Sequence, residues 1–253
     1  MFSINNLYEN DDVRILQDMG AFRVIEWDRD LSVTAETAVA AYFASEMNVH
    51  RRQVVCDLSV SPVTIQAGAM QWMAGDCQAT TGVKGAGDFF GKALRGAVTA
   101  ESAIKPEYTG TGVVMLEPTW KHIALIDTAE WGGNVVLDDG LFLACHSNLQ
   151  QRAVARSSFS SAVAGGEGLF NLCIQGAGAV ALELPCPREE IIEFELDNDV
   201  LKIDGNMAMA WSGSLAFTVE RSSKSLIGSA ASGEGLVNVY RGTGKVWMAP
   251  TAY

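Results

Sequence analysis

The amino-acid sequence predicts an all-β protein built by repetition, and three observations carry that prediction. Apolar residues recur at every second position over short runs, the period that places side chains on one face of a strand. Glycine-bearing turn signals separate the runs. The phrase Gly-x-Gly occurs at Gly110, Gly176 and Gly242, a constant 66 residues apart (110 to 176, 176 to 242). Self-similarity at a fixed period marks one structural unit copied along a chain.

Each element of the unit has its own signal. After each glycine pair come apolar residues two apart: Val114 and Leu116, Val180 and Leu182, Val246 and Met248. A proline ends each run, at Pro118, Pro185 and Pro250. Upstream, Gly68, Gly140 and Gly205 open a second alternation through Met70 and Trp72, Phe142 and Ala144, Met207 and Met209. The interval from this glycine to the pair is 42, 36 and 37 residues (68 to 110, 140 to 176, 205 to 242). The first copy therefore holds about five more residues, and the glycine-rich stretch 82–87 is the place for them. Ile192 to Leu196 alternates apolar with acidic residues, and Ala216 to Glu220 alternates in the same way. Asp138-Asp139-Gly140 and Asp204-Gly205-Asn206 are turn signals between strands. Short helical turns are expected within 89–98, 157–164 and 223–231.

The units are expected at 61–120, 121–187 and 188–253 of a single β body, preceded by an extension over 1–60 that covers the first unit, since repeat arrays need capped ends. The extension reads as a strand over Arg23 to Trp27, a helix over Ala35 to Met47 and a strand over Gln53 to Val60. Thr34 is the expected helix cap. Val39, Tyr42, Phe43 and Met47 form one apolar stripe on that helix.

Bulk properties narrow the function. The 253 residues carry a net charge of −12, with 48% hydrophobic and 19% charged residues. Such acidity repels phosphate backbones and anionic lipid, so nucleic acid is an unfavoured partner. The five cysteines are odd in number and form no CxxC pair, which points to free thiols in a reducing compartment rather than a disulfide framework. The first residues show neither a secretory nor a transit-peptide pattern, and no apolar run approaches the ~20 residues of a membrane helix. A cytoplasmic location without a membrane span is expected.

The chemistry-bearing residues do not converge in the sequence. The glycine pairs precede strands, whereas a dinucleotide fingerprint leads into a helix; turns are the expected reading. Glu167 and Glu234 each stand between two glycines, in Gly166-Glu167-Gly168-Leu169 and Gly233-Glu234-Gly235-Leu236. In the first copy Glu101 stands between Ala100 and Ser102. These carboxylates either bind a cation or ligand amine or accept backbone N–H groups that lock the turn. Asn171 and Asn238 belong to the same local networks. Arg188, after Pro185-Cys186-Pro187, marks either a ligand corner or a turn into the next strand. His50, His122 and His146 lack metal-ligand spacing, and Cys145 and His146 are neighbours on a strand and point to opposite faces. Trp72, Trp211 and Trp247 fall at strand positions that suit core or subunit contact. No catalytic residue, metal site or cofactor is expected, and the ligand-binding candidates are Glu167, Glu234 and Arg188.

The repeated Gly-Glu-Gly-Leu phrase and the Gly-x-Gly-x-Val-x-Leu that follows it resemble the altered inheritance of mitochondria protein 24 family, as do Gly68 to Gly75 and Gly85 to Gly96. The resemblance runs from the Arg52 strand to Pro250. It implies repeated antiparallel β units similar to the subunit of the tryptophan RNA-binding attenuation protein, a short double-stranded β-helix. It also implies self-association, as a homotrimer, and supplies no enzymatic activity. A non-enzymatic scaffold or protein-interaction protein is the expected function. The alternatives are a module binding a small molecule or short RNA, and a metal-dependent β-helix enzyme.

Overall fold

Alternating short runs separated by glycine turns cannot satisfy their backbone groups alone, so they pair edge to edge. The computed structural model describes residues 2–81, 105–155, 170–205, 207–221 and 236–251. Among them the pairing is antiparallel throughout and makes three sheets. The first sheet orders β1 (Val13–Met19), β2 (Phe22–Trp27), β3 (Arg51–Asp57), β8 (Val113–Leu116) and β5 (Met70–Ala74). The second orders β6 (Cys77–Thr80), β7 (Glu107–Gly110), β4 (Val63–Ile65), β11 (Phe142–His146), β14 (Ala179–Leu184) and β9 (His122–Asp127). The third orders β12 (Gln150–Ala155), β13 (Phe170–Gln175), β10 (Asn134–Leu137), β16 (Ala208–Ser212), β18 (Leu236–Met248) and β15 (Ile192–Asp204), with β17 (Ala216–Arg221) also on β18. The described residues hold one α-helix, α1 (Ala38–Glu46), between β2 and β3. The fold is all-β with a short helix near its N-terminus.

The registers repeat as the glycines do. Gly110, Gly176 and Gly242 have φ of 125°, 120° and 120°, and Gly68, Gly140 and Gly205 have φ of 81°, 81° and 64°. A side chain is disfavoured at these angles, which is why glycine recurs there. β5, β11 and β16 each pair with the strand after the Gly-x-Gly corner, and each slips once: between Met70 and Trp72, Phe142 and Ala144, and Ala208 and Ala210. β3, β9 and β15 occupy the same place on the opposite edge of β8, β14 and β18.

Burial follows the sheets. Phe22, Val54, Ile65, Val114 and Leu116 pack the first sheet against the second, and Ile126, Leu137, Ile174, Leu182 and Trp247 pack the second against the third. On the other side of the third sheet the Trp211, Phe217 and Tyr240 rings meet in tilted and edge-to-face contacts with centroids 5.2 to 5.4 Å apart. Each fully buried side chain of this size contributes about 1.5–3 kcal/mol. Trp211 and Trp247 are core residues, and Trp72 packs beside Leu7, Ile25, Val55 and Met115.

Several expectations change. The helix begins at Ala38, not Ala35, because the Thr34 carbonyl accepts from Thr37 and Ala38 N–H and holds that stretch in a turn. Thr37, not Thr34, is its N-cap residue. The stripe of Val39, Tyr42, Phe43 and Met47 faces outward. The strand expected over 53–60 runs over 51–57, ended by Asp57, whose carboxylate accepts from Ser59 N–H at 2.9 Å. β1 was not expected. The helical turns expected in 89–98, 157–164 and 223–231, the glycine-rich stretch 82–87, and Glu101, Glu167 and Glu234 lie outside the described residues.

Candidate interaction surface

Of the three ligand-binding candidates, only Arg188 falls within the described residues. It opens a 3-10 turn after Pro187 that leads into β15. Its guanidinium lies 4.2 Å from the Trp247 ring centroid and donates to Glu193 at 2.7 Å. Glu193 also accepts from Trp247 Nε1 at 2.5 Å and pairs with Lys245 at 3.5 Å. These partners hold the Glu193 carboxyl below its ordinary range, against the opposing effect of burial. Asn171 donates to the Leu137 carbonyl at 3.2 Å and to Asp138 at 3.1 Å, and Asn238 donates to the Gly205 carbonyl at 2.9 Å. Each ties down one of the turns seen in the sequence.

The histidines and cysteines hold separate local contacts. His146 stacks on Phe22 at 5.3 Å, with its two ring nitrogens 3.3 Å from the backbone nitrogens of Ala21 and Ala179. His50 meets the Trp27 carbonyl at 3.2 Å. Burial pushes the Cys145 thiol up to about 12, which makes it a core group rather than a nucleophile. All five cysteines are free. Among the described residues no three His, Cys, Asp or Glu side chains converge to hold a metal ion.

What the structure does assemble is an apolar surface around α1. Val39, Tyr42, Phe43 and Met47 are between 62% and 77% exposed, and the helix buries none of its residues. Its opposite side, through Ala40, Ala41 and Ala44, lines a groove of about 520 Å³ with Trp27, Trp120 and Val49. The helix is anchored at its C-terminal end by charge. Glu26 and Arg52 face each other across β2 and β3, both almost fully buried, and their side chains meet at 2.5 Å. Arg52 also donates to the carbonyl and side chain of Asn48, just beyond α1, at 3.1 and 2.9 Å. Arg14 reaches the same Glu26 at 2.6 Å from the exposed side. Arg51 pairs with Asp30 at 2.9 Å and lies 5.1 Å from the Trp120 ring centroid, at the groove. Sequence periodicity identified the apolar stripe; the buried ion pair that presents it had no sequence signal, since β2 and β3 carry other charged residues, Arg23, Arg51 and Asp57, that do not join it.

Comparison with known proteins places the chain. Residues 45–251 match the family described as Mitochondrial biogenesis AIM24. A curated relative, the uncharacterized protein M6_Spy0233 of Streptococcus pyogenes serotype M6, is 28% identical over 194 residues, covering 74% of this chain and 75% of that protein. The crystal structure of protein SPYM3_0169 from Streptococcus pyogenes superposes with a TM-score of 0.59 at 24% identity, covering 81% of this chain and 90% of that chain. With a described body of three antiparallel sheets and a family match over most of its length, this chain belongs to the Mitochondrial biogenesis AIM24 family.

Proposed function

We propose that this protein is a non-enzymatic scaffold that associates with itself, as a homotrimer, and presents its surface to other proteins in the cytoplasm. The outward apolar face of α1 carries the reading. An isolated helix of nine residues is not stable in water, and this one buries none of its side chains fully. Its exposed Val39, Tyr42, Phe43 and Met47 form the kind of contiguous patch that marks protein contact. Five free cysteines support a reducing compartment. Sedimentation at micromolar concentration tests the assembly: a mass three times the 27.1 kDa chain is expected, and replacing Tyr42, Phe43 and Met47 together by serine should weaken association at least tenfold. A chain that sediments as a monomer before substitution removes the proposal.

A second reading is a small-molecule binding module. The groove beside α1 favours it, because about 520 Å³ bounded by two tryptophans, Arg51 and Asp30 falls in the size range of ligand pockets. Trp120 fluorescence during titration with a panel of small aromatic and acidic compounds tests it. An unchanged spectrum across the panel, beside intact self-association, leaves the scaffold reading alone.

A further inference from the structure

Two contacts between successive strand sets follow one rule. β4 lies on β11 with Val63 opposite His146, Thr64 opposite Cys145 and Ile65 opposite Ala144. β10 lies on β16 with Val135 opposite Ser212, Val136 opposite Trp211 and Leu137 opposite Ala210. Position relative to the Gly-x-Gly corners shows that these are one contact made twice. Thr64, Val136 and Lys202 face Glu107, Cys173 and Val239, each three places before its corner glycine. Met73, Cys145 and Trp211 face Val114, Val180 and Val246, each four places after it. The rule therefore assigns Lys202 to Met73, Leu201 to Ala74 and Ile203 to Trp72. That third contact is absent within the chain: among the described residues β5 pairs only with β8, and the second half of β15 pairs only with β18.

Exposure records the missing neighbour. Met73 is 45% exposed, whereas its counterparts Cys145 and Trp211 are 0% and 4% exposed. Val200, beside Leu201, is exposed too, while its counterpart Asn134 is half-buried. An unpaired strand edge with apolar side chains is a template for another strand.

We propose that the β5 edge of one copy pairs antiparallel with the Leu201–Ile203 edge of a second copy, in the register Met73 opposite Lys202. The occupant is a second copy because the rule supplies each edge with a matching strand only at the other end of this same sequence. The contact is head to tail, so it closes into a ring or extends as a filament; three copies in a ring join it to the homotrimer, and it rests on the self-association proposed above.

Charge exchange at the predicted pair tests it, with the full chain and circular dichroism as the folding check. Met73 is exposed, so a charged residue there leaves the fold intact. Met73→Lys sets like charges opposite each other across the strands and should weaken association about fivefold. Met73→Glu should leave it unchanged or tighten it, and Met73→Lys combined with Lys202→Glu should restore it, with Lys202→Glu alone as the control. If the unaltered chain is a monomer, self-association and this pairing fall together. If it assembles with the same dissociation constant in all these variants, or if both Met73 variants weaken it and Lys202→Glu does not rescue Met73→Lys, self-association stands and the pairing is overturned.

Discussion

At Gly110 the backbone has φ of 125°, and a Cβ built there would overlap the Asp76 carbonyl oxygen. Gly68 also has positive φ, at 81°, but a Cβ there meets nothing within 4 Å. The two glycines thus have different requirements. Gly110→Ala should cost on the order of 3 kcal/mol, from backbone strain and a clash with a neighbouring strand. Gly68→Ala should cost about 1 kcal/mol, from strain alone. Urea unfolding of the two variants measures the difference, and equal losses would show that the clash relaxes freely. The need for glycine at both places was legible in the sequence, because the conformation is local. The clash was not, because Asp76 reaches Gly110 only once β6 and β7 have paired.

Between elements, the buried Glu26–Arg52 pair joins β2 to β3 and, through Asn48, holds the end of α1. Removing one partner strands the other charge in the core. Glu26→Ala should therefore lower stability by about 3–5 kcal/mol, while Arg14→Ala, which removes the exposed partner of the same carboxylate, should cost under about 1 kcal/mol. Thermal unfolding of the two variants checks the contrast; similar losses would mean that Arg14 contributes as much as the buried cation. The strands themselves were legible from period-two alternation, and β2 and β3 lie close to where it put them. The helix was legible too, but the direction of its apolar stripe was not. Periodicity says which residues share a face, and only the anchoring of the helix end decides what that face meets. β1 was not legible because its Val13, Ile15 and Leu16 break strict alternation and four of its seven residues stay exposed.

For the molecule as a whole, His146 links the first sheet to the second by its place between Ala21 and Ala179. Burial pushes its pKa below the usual 6.5, and the same cause, together with the Arg52 charge, lowers that of His122. A neutral imidazole accepts from one of the two backbone N–H groups around His146, and a protonated one accepts from neither. Below pH 6.5 the unfolded chain binds protons that the folded chain resists, so stability falls as pH drops below that value and is level above it. Melting temperature should decline between pH 6.5 and 5, and His146→Gln, neutral throughout, should flatten the decline; an unchanged slope would point to other groups. The lowered pKa values of Glu193 and Glu220 act in a separate window, below the ordinary carboxylate value. Repetition made the all-β architecture legible at this scale. The pairing of β4 with β11 and of β10 with β16 was not, since it joins residues 73 to 83 positions apart (137 to 210, 63 to 146) with no local signal.

The packing of the sheets sets three buried thiols in three separate layers. Cys56 sits in the core between the first and second sheets, Cys145 in the core between the second and third, and Cys173 in the aromatic layer beyond. Each of these three layers thus contains one silent thiol, invisible to an alkylating reagent while that layer is closed. The molecule carries three built-in clocks, and the order in which they are labelled is the order in which its layers come apart.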